Sequence, residues 1–535
     1  MKEKFNEIIH SKKIIVILIV VLIVLVGVAS TYAWFTWSST NNTSLTMSIG
    51  ELADVNFSTG NDISTNSLSP VFNYTDGEKT TFTIRNKSDS NLKYKVVLNI
   101  TSIADELKTN SLKYKLLNNN TVVAEGDFSN ITSNSSTSIY ESTLSKGSIN
   151  YTFYLYIDGN IENDLTLMGK SLSGNLMVEE GDPALDTLNH LNSLNSTITL
   201  ASGTPDFTTV SGSNGVKYVN NSQSATGLGD GTKGIYATQD DLGTSYYFRG
   251  AVDNNYVKFA GLYWRIIRIN GDGTIRMIYA GTSAHANGES ETDSRISKTA
   301  YNSSYNDNTY VGYMTGSTGA TTYASAHSNT NNSTIKGVID TWYKANIEDK
   351  GYSTYVADAI YCNDRSIAND SATNNMLTKV NSSWTNTGLG HGTNVTAYGG
   401  FKRNFVDHTP SLVCPNNNDK FTTDNTLGNG KLTYPVALIT SDEIAYAGGL
   451  AYDYSTGGYI ANTEFYLHTP SYYYWTLTPW AFVGGSSFVA YWYTAGYLFG
   501  NSVYNSDRAA RAVVSLLSDA ITGGSGTMND PFTVG

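Results

Sequence analysis

Cysteine, proline and charge are all scarce in this chain of 535 residues. Two Cys and nine Pro exclude a disulfide-dense small scaffold and a Pro-rich spacer. Charged residues make up 15%, against about a quarter in ordinary globular proteins. The net charge is −12 with no basic cluster, which argues against a nucleic-acid partner. Histidines number seven and are scattered, and neither HExxH nor GxSxG occurs. The residues thus offer no metal site, no cofactor site and no catalytic set, and the reading is a binding protein rather than an enzyme. In place of charge stand Asn, Ser, Thr, Gly and 38 Tyr, a composition suited to extracellular β-rich surfaces.

One hydrophobic run decides the expected compartment. Every residue from Ile14 to Ala29 is apolar or Gly, and continued to Phe35 the run is 22 residues, about 33 Å as a helix. Lys2, Lys4, Lys12 and Lys13 precede it, so the positive-inside bias leaves the C-terminus outside. Residues 1–13 are expected as a cytoplasmic tail and 14–35 as a transmembrane helix or signal peptide, small residues at Ala29, Thr31 and Ala33 suiting cleavage. The expected product is a single-pass cell-membrane protein with its C-terminus extracellular, or a secreted one.

Residues 36–180 read as a β-sandwich: SLTMSI, FTIRN, LKYKVVLNI, SLKYKLL, TVVAEGDF, SINYTFYLYI and SLSGNLMV are short strands separated by turn residues. Tyr151, Phe153, Leu155 and Ile157 alternate onto one face, Tyr154 and Tyr156 onto the other. Residues 181–231 read as a linker with a short helix over Pro183–Asn195. From 232 the chain turns aromatic. YWRIIRI and IRMIYAG flank NGDGT, a hairpin turn, since the acidic spacing of a calcium loop is absent. Ile335, Val338, Ile339, Trp342, Tyr343 and Ile347 form a helical stripe with Ser333 as N-cap, and SDEIAYAGG from Ser441 predicts a second helix. The fold class is mainly β, with an α+β C-terminal domain over 232–535.

Cys362 and Cys414 both fall in the exported part and read as one disulfide. Between Tyr466 and Tyr504, 39 residues carry 14 aromatics. Tyr and Trp among Ser, Gly and Asn are what recognition surfaces use, giving large contact area with few rotors. The candidate ligand-binding residues are Trp480, Phe482, Ser486, Ser487, Phe488, Tyr491, Trp492, Tyr493, Tyr497, Phe499, Asn501, Tyr504, Asn505 and Asp507. About half of the aromatics are expected in the core and half on display, and the expected partner is an external protein or glycan.

Two resemblances extend this reading. The membrane segment, STYAWFT and FTIRNKSDSNLKYKV resemble the TasA/camelysin class of exported Gram-positive matrix proteins, over about 150 residues. That implies self-association through 36–180, with a structural matrix-fibre subunit as the alternative function. YWRIIRINGDG, TIKGVIDTWY, YCNDRS with VCPN, LITSDEIAYAGG and the final WTLTP to VVSL resemble, as a set, Firmicutes surface domains of the C-type lectin and formylglycine-generating-enzyme fold. In place of the family's usual G-V-R-P-V-I-S-L ending, this chain has Ala509, Ala510, Arg511 and Ala512. The resemblance implies a lectin-like adhesin head on a β-sandwich stalk, with an enzyme relative as second alternative. It also implies a kinship with variable proteins of diversity-generating retroelements. Residues 481–510 contain no Lys, Gln, Glu or Met, types that adenine-directed mutation of Asn codons cannot reach, although Trp492 is an exception.

Overall fold

The computed structural model describes residues 35–37, 45–49, 53–57, 62–67, 70–87, 92–161, 167, 170–202, 205, 207, 219–220, 233–454, 458–459, 462–463 and 465–535. The membrane segment expected over 14–35 lies outside them save for Phe35, which opens the first strand. Among the described residues no helix is long and apolar enough to cross a membrane. The chain divides into two compact units, 1–181 and 182–535.

The first unit is built from two sheets, antiparallel except for the short parallel pairing of Pro70–Val71 with Gly147–Asp158. One has the order β1 (Phe35–Trp37), β4 (Asp62–Ser67), β11 (Leu172–Glu180), β6 (Leu92–Ile103) and β9 (Ser135–Leu144). The other runs β2 (Leu45–Ile49), β3 (Ala53–Phe57), β5 (Glu78–Asn86), β10 (Gly147–Asp158), β7 (Leu112–Asn118) and β8 (Thr121–Asp127). Period-two patterning builds the core: Tyr151, Phe153, Leu155 and Ile157 are buried with Val96, Leu98 and Leu176. Tyr156, expected on the outer face, is buried as well. Tyr74 lies across it at 6.3 Å between ring centroids, and a Cβ on Gly77 would stand 2.6 Å from the Tyr156 Cβ, so the loop at 74–77 closes over that ring.

The second unit begins earlier than a linker over 181–231 would allow. Helix α1 (Pro183–Leu194), capped by Asp182, buries Ala184, Leu188 and Leu191 in this unit's core, and Ile198 joins them. Spacing of three to four apolar residues gave the helix a stripe, and that stripe needed a partner. Two sheets follow. One holds β12 (Gly234–Asp240), β13 (Gly243–Arg249), β14 (Tyr256–Phe259), β15 (Leu262–Ile269), β16 (Ile275–Gly281) and β20 (Val513–Leu516). The NGDG turn joins β15 to β16, with Gly273 at φ 87° and the Asn270 N–H donating to the Thr274 carbonyl.

The other two predicted helices are present as well. Helix α2 (Thr334–Tyr343) starts on Ser333, whose hydroxyl accepts from the Lys336 N–H, and continues as a wider turn over Lys344–Glu348. Its Ile335, Ile339 and Tyr343 are buried, with Val338 and Trp342 half-buried at the edge of the stripe. Helix α3 (Ser441–Ala447) carries a capping box between Thr440 and Glu443 and ends on Gly448 at φ 119°.

Candidate functional site

The aromatic-rich stretch forms a three-stranded antiparallel ribbon. Strand β17 (Tyr474–Val483) pairs with β18 (Ser486–Tyr493), which pairs with β19 (Tyr497–Ser502). Gly484 and Gly485 make the first turn at φ 57° and 75°, the pair of positive values a type I′ hairpin requires. Register then fixes the faces. Tyr491 stands opposite Phe499 and Tyr493 opposite Tyr497, with Asn501 two residues along, so these five side chains share one face.

That face is a row of rings in contact. Tyr493 stacks on Tyr497 at 5.0 Å and lies 5.0 Å from Tyr473. Tyr452 reaches Tyr497 at 5.8 Å and Phe499 at 5.4 Å, with Tyr454 at 5.8 Å from Phe499. Buried Arg508 lies over Tyr473 at 4.8 Å and over Tyr491 at 4.7 Å, and its other partner is Asp507. Burial raises the Tyr491 phenol above its ordinary range, while Arg508 pulls in the opposite direction. Tyr473, Tyr493, Tyr497 and Phe499 are half-buried, held by their neighbours yet reachable.

Several residues expected in the site belong to the core instead. Trp480, Phe482, Tyr491 and Trp492 are 2% exposed or less. Trp492 points to the opposite face from Tyr493, packing on Phe465 at 4.9 Å and over Gly449, where a Cβ would stand 2.6 Å from the indole. Trp480 lies against Phe401 at 4.7 Å and covers Gly500. Ser487 is also buried: its N–H donates to the Tyr305 carbonyl and its hydroxyl to the Asp307 carbonyl, so it fastens a loop to the ribbon. All ten residues of β17 are buried, and β18 is covered on both faces over Val489–Trp492, leaving only Ser486, Phe488 and Tyr493 half-buried.

Ser486, Phe488, Asn501 and Asn505 are half-buried, and Tyr504 and Asp507 are exposed. Ser486 and Ser502 share a hydroxyl hydrogen bond across the ribbon. Tyr305, Tyr452, Tyr454, Tyr473 and Arg508 were not foreseen as site residues. Adjacency in YYYW and SDRAA was the available signal for Tyr473 and Arg508, whereas nothing in sequence joins Tyr305 to Tyr504.

Two other polar clusters lie in this unit. Cys362 and Cys414 are joined in a disulfide, and Cys362 lines a cavity walled by buried ion pairs. There Arg268 bridges Asp240 at 2.6 Å and Glu443 at 3.1 Å, Arg276 meets Glu443 at 2.5 Å, and Arg403 bridges Asp364 at 2.6 Å and Asp442 at 2.9 Å. Burial pushes the Glu443 carboxyl up, and Arg276 and Arg268 together outweigh it, holding it below the usual range. Three arginines thus face four carboxylates, and the pairs brace the cavity wall. The second cluster is His285, Glu291 and Asp293, whose ligand atoms lie within 4.8 Å of one another although the sequence suggested no metal site. Asp293 accepts from His285 Nε2 at 2.6 Å and from the Thr282 N–H and hydroxyl, and Glu291 accepts from Ser294, so each is already engaged in closing its loop.

No protein-family model and no curated protein matches the chain. Among solved structures, a family 35 carbohydrate binding module from an environmental isolate is 10% identical, covering 28% of this chain and 92% of its own, at a TM-score of 0.16. CsCBM6-3 from Clostridium stercorarium, in complex with cellobiose, is also 10% identical, covering 28% and 95%, at 0.11. A Paenibacillus cycloisomaltooligosaccharide glucanotransferase is 11% identical, covering 48% of this chain and 39% of its own, at 0.18. Overlaps of this degree bear on neither fold nor function.

Proposed function

We propose that this chain is a cell-surface ligand-binding protein, an adhesin or receptor whose C-terminal unit meets an external protein or glycan through the ribbon face. The observation that carries this is the packed row Tyr473, Tyr493, Tyr497 and Phe499 with Tyr452 and Arg508. Rings fixed by one another lose little rotamer freedom on binding, and half-buried rings keep part of their surface within reach of a partner. The N-terminal hydrophobic segment would tether or export the protein. A C-type-lectin-like assignment for the second unit and hypervariability of 481–510 belong to the same reading. A near-copy of codons 481–510 elsewhere in the locus, differing mainly at adenines, would support the latter; an intact locus without one would refute it.

The deciding experiment replaces Tyr493 and Tyr497 by Ala in the full chain and measures adhesion to target cells beside thermal stability. Loss of adhesion in a variant that still melts cooperatively, only a few degrees lower, supports the reading. Unchanged adhesion would sink it.

A matrix-fibre role for the first unit is the second reading, and Phe72, 82% exposed, is the side chain on which to test it. Filaments of the full chain seen by electron microscopy, and lost on Phe72→Ser, would support it.

A further inference from the structure

Among the described residues, three aromatic side chains are exposed: Phe72, Tyr305 and Tyr504. The last two, far apart in sequence, lie against each other with ring centroids 4.7 Å apart at 41°. Tyr305 is 44% exposed and Tyr504 54%. Large rings left in water are the informative exception to burial, and two of them brought together by tertiary structure are more so.

The backbone under each ring is fixed. The Tyr305 carbonyl accepts from the Ser487 N–H at 2.7 Å, and the Ser487 hydroxyl holds the Asp307 carbonyl at 2.6 Å. Tyr504 directly follows Val503, a buried residue whose N–H donates to the Ser487 carbonyl at 3.0 Å. Both rings are thus carried by one buried serine, so the pair is built before any ligand arrives. Beside Tyr504, Asn505 donates its amide N–H to Asn501 Oδ1 at 3.5 Å and accepts from the Asp507 N–H at 3.2 Å, and its backbone N–H donates to the Ser502 carbonyl, so amide groups and the exposed Asp507 carboxylate flank the pair.

We infer that Tyr305 and Tyr504 form a subsite for a neutral pyranose ring, reached separately from the tyrosine row. The inference rests on the ligand-binding reading above and names the ligand class for one part of that surface. A pyranose has one face of C–H groups, which packs on an aromatic face, and a rim of hydroxyls, which amide and hydroxyl side chains can bond. The row at Tyr473, Tyr493 and Tyr497 suits this poorly, because Tyr493 has a neighbouring ring on either side, at 5.0 Å each. The Tyr305–Tyr504 pair leaves more ring surface open. A protein partner fits it less well, since stable protein interfaces bury about 800 Å² per side around a desolvated centre and two exposed rings supply only a fraction of that.

The test is saturation-transfer NMR on the full-length chain with methyl glucoside, methyl galactoside, methyl mannoside and N-acetylglucosamine as probes. Transfer to the ring C–H protons of at least one sugar is expected, with binding weakened about tenfold or more by Tyr305→Ala and by Tyr504→Ala. Tyr504→Phe, which keeps the ring, should restore most of the binding lost in Tyr504→Ala, and Lys350→Ala, at an exposed position outside both aromatic surfaces, should leave binding within about twofold of wild type. Absence of transfer from all four sugars, or equal transfer in both Ala variants, overturns the subsite. So does loss of cell adhesion in Tyr504→Ala without any sugar binding, which would make the pair a protein contact. Failure of the parent reading shows elsewhere, as unchanged adhesion in the Tyr493 and Tyr497 variants.

Discussion

The indole N–H of Trp492 donates to Nδ1 of His468 at 3.4 Å, directly beneath the ribbon. His468 is 8% exposed, and burial lowers its pKa from 6.5 to about 4, so the folded protein holds it neutral. A folded-state pKa below the unfolded one means that stability is full above pH 6.5 and is lost as pH falls from there toward 4, by roughly 3 kcal/mol. Denaturant midpoints measured across that window should fall with acid. His468→Gln should flatten part of the slope; His327, also buried and held well below its ordinary value, supplies another part.

Trp492 and Tyr493 are neighbours with opposite fates. Trp492→Ala opens a cavity in the core and should lower unfolding free energy by about 3–5 kcal/mol. Tyr493→Ala trims a half-buried ring and should lower it by about 1 kcal/mol. Urea titrations of both variants check the difference; similar losses would mean that the whole ribbon is core.

Arg508 sits over two tyrosines and against Asp507, an arrangement that needs a flat guanidinium. Arg508→Lys should cost about 1–2 kcal/mol of stability and weaken adhesion, whereas Asp507→Asn should change adhesion less. A thermal melt beside a cell-binding titration separates the two effects.

The Cys362–Cys414 bridge spans a sequence separation of 52. Its reduction, or the double Ser variant, should lower unfolding free energy by about 4 kcal/mol through the added freedom of the unfolded chain. Native protein should show no free thiol in a thiol titration, since the chain holds only these two Cys.

How much of this was legible in sequence depended on how far apart the partners lie. Tyr151 to Ile157 announced their face because a single sheet surface imposes strict alternation, and Ser333 announced its helix because a cap acts three residues away. The disulfide was legible because only two Cys exist. The ribbon was readable as aromatic but not as a layout. All ten residues of β17 are buried, so no alternation separates Trp480 and Phe482 from rings that face outward. Nor could Tyr305 be tied to Tyr504, since the contact is made by a loop returning to the ribbon through Ser487.

In the first sheet of the second unit, Ile275 pairs with Leu516, and Val257 with Phe532. The central strands of that sheet therefore wait for a partner that leaves the ribosome long after they do. Until then β16 offers an open edge to any other extended segment, and the search across so long a loop is slow. The unit's passage to its folded form is thus a question of timing, and a holding factor that shields β16 during that interval would raise its yield.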